Sequence, residues 1–273
     1  MILTWTLWRW IKRPLTGHPL YQRIVTQAPY IMPWYMGCAL ILFSPFLLLP
    51  GIVFLSAVYG LRWAVQIASS IANEREAGMY DLLVIAPAGA LGVGRIVMSA
   101  CMHRNEALEQ TEAFGTWMMR GFFTVVLILI AASITPPLIP EDASNLGGLV
   151  VMVYLATMAI AMYVDHLQSI VLSAEIGILV PSYASKRLDA GAAAFVLYLA
   201  IQLSTFVLTL LIGFTIAPKL FDLLQLSNLA NALLLPILRL LVFVGSREVI
   251  IKVLWKRLVR ETDATPSEVE FIR

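Results

Sequence analysis

The chain has 273 residues, 60% of them hydrophobic and 13% charged, with a mean hydropathy of +0.83. That composition lies outside the range of soluble domains and reads as an integral membrane protein. A net charge of +2, with Lys and Arg spread rather than striped, excludes a nucleic-acid-binding surface.

The first segment, MILTWTLWRWIKRPLTGHPLYQRI, lacks the uninterrupted apolar core and the small-residue cleavage site of a signal peptide. Trp5, Trp8 and Trp10 alternate there with Arg9, Lys12 and Arg13. This is the mix expected of an amphipathic helix lying at the headgroup level, its cations toward anionic membrane lipid.

A bilayer core about 30 Å thick needs about 20 apolar residues in a helix. Six runs meet that length, at 31–49, 51–72, 116–135, 147–167, 191–216 and 228–246. Positive charge stays on the cytoplasmic side. Arg9, Lys12, Arg13 and Arg23 precede the first run, Arg75, Arg95 and Arg104 lie between the second and third, and Lys186 and Arg187 follow the fourth. More cations follow the sixth, whereas the opposite side carries only Lys219. The expected fold is therefore all-α and polytopic, with six transmembrane helices, both termini cytoplasmic, and TPPLIPEDASN and APKLFDLLQLSN as external loops in the cell membrane. Residues 1–260 form a single membrane domain. The tail 261–273, ETDATPSEVEFIR counted from its first Glu, has no apolar period and is expected to be mobile.

Directly after the second run comes a charged knot, Glu74, Arg75 and Glu76, followed by Gly78. Met79, Leu82, Leu83 and Ala86 then recur at three-and-four spacing, which predicts a short helix with one apolar face, stopped by Pro87. Its charged residues are expected to face water or a partner.

This stretch, IANEREAGMYDLLVIAPAGALGVGRIV, resembles the segment after the second span in type-2 permeases of ATP-binding-cassette (ABC) transporters. In that family an "ER..GT...LL..P" pattern forms the cytoplasmic coupling helix that docks on the ATPase subunit. The matching residues are Glu74, Arg75, Gly78, Leu82, Leu83 and Pro87; Met79 stands where the family has Thr. A second stretch, IVLSAEIGILVPSYASKRLDAGAAA, is similar to the family's cytoplasmic end of span four. The resemblance implies an inner-membrane permease subunit, an exporter of lipid-linked, hydrophobic or drug-like substrates. Its partners would be an ABC ATPase subunit, which binds ATP and Mg, and a second permease copy. Gly191, Ala192, Ala193 and Ala194 would allow close approach of helices at the permease interface.

Charges inside a membrane are costly and mark candidate sites. Arg62 falls in the second run and Arg239 in the sixth, while Arg120 lies near an end and reaches the interface by snorkelling. Asp165, Gln168, Ser169 and Glu175 share about a quarter of a helix circumference. They read first as the wet face of a cytoplasmic extension and, were the span to run toward 180, as an internal polar path in which Asp165 pairs with Arg62 or Arg239.

Cys38 and Cys101 have no metal or disulfide spacing and read as free thiols, and His18, His103 and His166 are scattered, so no metal site is expected. AGALGVGR lacks the Lys and Ser/Thr of a phosphate loop. With no nucleophile beside a base, no enzyme activity or cofactor is expected in this chain. Two other functions stay open: a transport-inactive structural subunit of a larger membrane complex that keeps the permease fold, and an ion-coupled carrier using Asp165 or Glu175 as its proton site.

Overall fold

Polar interruptions decide where hydropathy places a helix end, and in this chain they mislead. The computed structural model describes residues 3–26, 55–85, 89–104, 107–113, 116, 120–121, 124, 144–184, 186–225 and 228–264. Every regular element among them is helical. In chain order these are α1 (Leu3–Ile11), α2 (Pro19–Thr26), α3 (Leu55–Glu76), α4 (Tyr80–Ile85), α5 (Gly89–Met102), α6 (Ser144–Leu179), α7 (Arg187–Leu210), α8 (Ala217–Leu223) and α9 (Asn228–Glu261). A 3-10 turn, Val180–Ser182, follows α6, and a π-helical turn, Leu211–Ile216, joins α7 to α8.

Three stretches are long and apolar enough to cross a bilayer: Val150–Ser182, Arg187–Leu223 and Leu229–Glu261. In their most apolar windows only 22%, 22% and 11% of the residues are buried by the protein itself, so the remainder needs an apolar surrounding. The protein is accordingly a membrane protein built of helices. The runs at 31–49 and most of 116–135, the loop TPPLIPEDASN, Cys38, Pro87 and residues 265–273 lie outside the described residues.

Four expectations on the described residues change. The helix that carries the fourth run does not stop at 167; α6 continues to Leu179. The helix that carries the sixth does not stop at 246; α9 runs to Glu261, across the first residue of the expected mobile tail. Most of APKLFDLLQLSN, expected to be a loop, is helical, as α8. The connection after α4 contains α5, an apolar helix whose Val93, Ile96, Val97, Met98 and Met102 are buried. For α5, α6 and α9 packing supplies what local hydropathy lacks, since tertiary burial outweighs propensity; in α8 only Ala217 is buried.

The chain divides into two compact units. The first comprises Met1–Gln110, Asp165–Gln202 and Glu248–Arg273, and it holds the whole main hydrophobic core. There α5 packs on α2, α3 and α4. Missing side chains set two of the close approaches: a Cβ at Gly177 would come within 2.6 Å of the Ile67 Cβ, and one at Gly60 within 2.2 Å of the Tyr198 hydroxyl. Small residues are the usual means by which membrane helices approach this closely.

α1 is amphipathic, as expected, but its apolar side is buried in this core rather than in lipid. Leu7, Trp8, Trp10 and Ile11 are buried, with Trp5 exposed. Trp10 meets Trp255 edge to face at 6.2 Å, and the Arg95 guanidinium lies 5.1 Å from the Trp10 ring. Glu248 of α9 accepts from the Leu3 N–H at 2.6 Å and from the Thr4 hydroxyl at 2.5 Å, so a distant carboxylate caps the helix where its N–H groups are open.

The second unit comprises Thr111–Val164 and Leu203–Arg247. Few of its described side chains are buried, among them Ala159, Thr205, Ala217, Phe243 and Arg247.

Candidate functional site

α3 has to stop before α4 can turn, and the backbone does this with a Schellman cap. Gly78 N–H donates to the Arg75 carbonyl at 2.9 Å and Met79 N–H to the Glu74 carbonyl at 3.0 Å. Gly78 has φ +67°, a left-handed value that any Cβ would strain. α4 follows at once, its first bond running from Leu83 N–H to the Met79 carbonyl at 3.1 Å. Met79 therefore precedes the helix where an oxygen-bearing side chain is preferred, and it has none to offer.

Within the knot Glu74 turns inward, Arg75 is partly buried and Glu76 is exposed. Glu74 is buried, 2% exposed, and its Oε1 lies 3.3 Å from an Arg23 nitrogen of α2. Arg75 donates to the Pro181 carbonyl and covers the Tyr80 ring at 4.4 Å. Glu76 accepts from the Arg187 N–H at 2.7 Å, placing its negative charge at the N-terminus of α7. Three consecutive charged residues thus fasten the end of α3 to α2, to the turn after α6 and to the start of α7. Met79 (39% exposed), Asp81 and Leu82 (68% exposed) lie on the outside with Glu76, Ala77 and Gly78, while Tyr80 is buried and Leu83 packs against the core.

The polar residues of α6 are likewise enclosed. Asp165, Gln168, Ser169 and Glu175 are at most 3% exposed, so they form no wet face. His166 and Ser173 are buried with them, and Trp8 meets His166 edge to face at 6.4 Å. From α7, Gln202 donates to the Ser169 hydroxyl at 3.1 Å and to the Tyr198 hydroxyl at 3.0 Å. Glu175 lines a cavity of about 10 Å³ with Leu7, Trp10, Ile11, Val171 and Trp255, about the room one water needs. Both Glu175 carboxylate oxygens and the Trp10 indole N–H lack a hydrogen-bond partner among the described residues.

Arg62 is exposed. In the second unit Arg239 is half-buried and donates from Nε to the Gly213 carbonyl at 2.9 Å. Sequence reasoning passed over Arg247, which is 2% exposed, donates to the Thr205 hydroxyl at 3.5 Å, and lies 4.6 Å from the Phe243 ring and 5.4 Å from the Phe206 ring. The two rings stack at 5.9 Å. The signal is Arg247 next to Glu248 inside an apolar period that continues to Leu258, where by hydropathy alone the charges read as an end. Gly191 and Ala194 are buried within the first unit and Ala193 is exposed, so only part of that small-residue run is open to another chain.

Cys101 is a free, buried thiol, and burial pushes its pKa up to about 11 despite the Ser70 hydroxyl 3.7 Å away. Among the described residues no three His, Cys, Asp or Glu side chains gather as a metal site. Comparison of the chain with protein-family models, with curated proteins and with solved structures finds no match.

Proposed function

We propose that the chain is the membrane-spanning permease subunit of an ATP-driven ABC transporter, an exporter, with the segment Glu74–Pro87 as the coupling element on which a separate ATPase subunit docks. One observation carries this reading: a six-residue helix and the residue before it offer Asp81, Leu82 and Met79 to the outside while Glu74, Arg75 and Glu76 brace its base to three other segments. A short helix can pass motion on only if its root is rigid and its exposed face is gripped. In this reading the chain has six spans and cytoplasmic termini in the cell membrane, pairs with a second permease, and leaves ATP and Mg to its partner.

The geometry selects the residues to test. Removing Glu74 or Arg75 would loosen the protein itself, whereas Leu82 is exposed and its replacement leaves the core intact. Gentle extraction and tag purification should bring down a stoichiometric nucleotide-binding subunit, and Leu82→Asp should lose it with the melting temperature unchanged. A large complex without any ATPase would overturn the transporter and favour the structural subunit.

Burial of Asp165 and Glu175 within a candidate span supports a second reading, the ion-coupled carrier. Substrate movement driven by a proton gradient, by the chain alone and insensitive to Leu82→Asp, is the result that would select it.

A further inference from the structure

The helix that begins at Arg187 widens at Leu211–Ile216 into a π turn, a feature often found at functional sites. Gly213 sits inside that turn and is buried, and its carbonyl accepts the bond from Arg239 Nε at 2.9 Å. The missing side chain makes this possible, since a Cβ at 213 would lie 2.8 Å from the Arg239 Cγ. The guanidinium centre then stands 3.8 Å from the Phe214 ring centroid, within the range of a cation held over an aromatic face.

Depth follows from the helix lengths. Gly213 is ten residues from the end of the candidate span at Leu223, and Arg239 is ten residues from the start of the next at Leu229. At about 1.5 Å per residue each lies roughly 15 Å from the connection between them, half of a core about 30 Å thick. With that connection at one surface, the guanidinium is near the middle of the bilayer, where an arginine is costly unless its donors are used.

One carbonyl and one ring use only part of it. A guanidinium has five N–H donors in a planar fork that matches an oxyanion, and the side chain is half-exposed. Among the described residues no acceptor is recorded at its terminal nitrogens. The surface leading to it is apolar: Phe214, and Leu210 and Leu211 about one turn before it, are 55%, 57% and 52% exposed.

We propose that Arg239, held between the Gly213 carbonyl and the Phe214 ring, is a binding site for an anionic amphiphile, its fork taking the oxyanion of the headgroup while Leu210, Leu211 and Phe214 meet the chain. A bilayer lipid and a transported cargo share this chemistry, and free phosphate shares half of it. The site rests on the membrane placement of these helices and not on the ATPase reading.

The test is binding to the purified full chain in a neutral detergent, read by thermal unfolding against three probes: dihexanoyl-phosphatidylglycerol, dihexanoyl-phosphatidylcholine and inorganic phosphate. The phosphatidylglycerol should raise the melting temperature saturably, and Arg239→Gln should weaken its apparent affinity about tenfold, the scale of a lost charge-assisted pair. An equal shift from phosphatidylcholine or from phosphate, or an unchanged affinity in Arg239→Gln, would overturn the proposal. If Arg239→Gln does not fold, a photoreactive short-chain phosphatidylglycerol on the unaltered protein decides the matter. Labelling of the peptides around 210–214 and 239 supports the site, and labelling confined elsewhere sinks it. No ATPase enters the assay, so failure here leaves the transporter reading standing.

Discussion

The two units of this protein solve opposite problems. In the first, polar and charged side chains are inside: Glu74, Asp165, Gln168, Ser169, Ser173 and Glu175 are all at most 3% exposed, surrounded by the main hydrophobic core. In the second, large apolar side chains are outside, with Val207, Leu211, Phe214, Leu234 and Leu241 between 44% and 62% exposed. The first unit is therefore held by what it encloses, and the second depends on what surrounds it. Apolar exposure of that kind is costly against water and costs nothing against lipid tails, which are as apolar as leucine, so it calls for lipid or another apolar protein surface.

The sharpest way to break this contrast is a pair of truncations measured in one detergent. Ile67→Ala, at a side chain fully enclosed against Gly177, should cost about 2–5 kcal/mol of unfolding free energy, whereas Leu241→Ala should stay within about 0.5 kcal/mol. Equal losses would mean that the outer face of the second unit is packed in solution, against a second copy for instance.

A smaller effect probes the buried charges of the first unit. Arg23→Ala leaves the Glu74 carboxylate enclosed without its cation and should cost about 1–3 kcal/mol. Glu74→Gln in the same chain should recover part of that loss, and an additive double variant would show that the pair contributes nothing jointly.

Met79→Thr tests the root of α4. An oxygen at the position before Tyr80 can accept a free N–H of the first turn, so the variant should gain about 0.5–1 kcal/mol. No gain, or a loss, would mean that the Met79 side chain is itself held in place.

The least effect at neutral pH belongs to Cys101. Burial keeps its proton on up to about 11 in the folded chain against an ordinary 9.0, so the folded state binds more protons than the unfolded one between those values. Stability should then be unaffected below pH 9 and fall as pH rises through that window. Cys101→Ala should flatten the decline, and an identical alkaline profile in both proteins would count against enclosure of the thiol.

How much of this was legible depended on whether local pattern and burial agree. The short helix after the knot was readable because Met79, Leu82 and Leu83 carry a helical period and Gly78 marks a helix end, and α4 is found there. The all-helical class and the apolar stretches were readable for the same reason. Hydropathy failed where polar residues are inside. Asp165 to Ser169 look like the end of a span, yet α6 passes through them because Gln202, Tyr198 and the surrounding core receive them. Arg247 and Glu248 look like another end, yet one lies over two Phe rings and the other caps α1. α5 is hard to read from sequence, since four glycines and alanines at its start carry little apolar signal while its later half is enclosed. Partners distant in sequence decide each of these, and no window along the chain contains them.

One such pairing governs the order in which the protein is made. The carboxylate that caps α1 is separated from Leu3 by 245 residues, and Trp255, against which Trp10 packs, is equally distant from its partner along the chain. α1 therefore leaves the ribosome long before its own binding groove exists, and loop closure over such a span is slow. Until α5, α6 and α9 have been synthesised in turn, Trp8, Trp10 and the cations beside them lack these partners and have the lipid surface to rest on. The amphipathic character of that segment is then a waiting state, suited to the headgroup region early in biogenesis and to the protein core at its end.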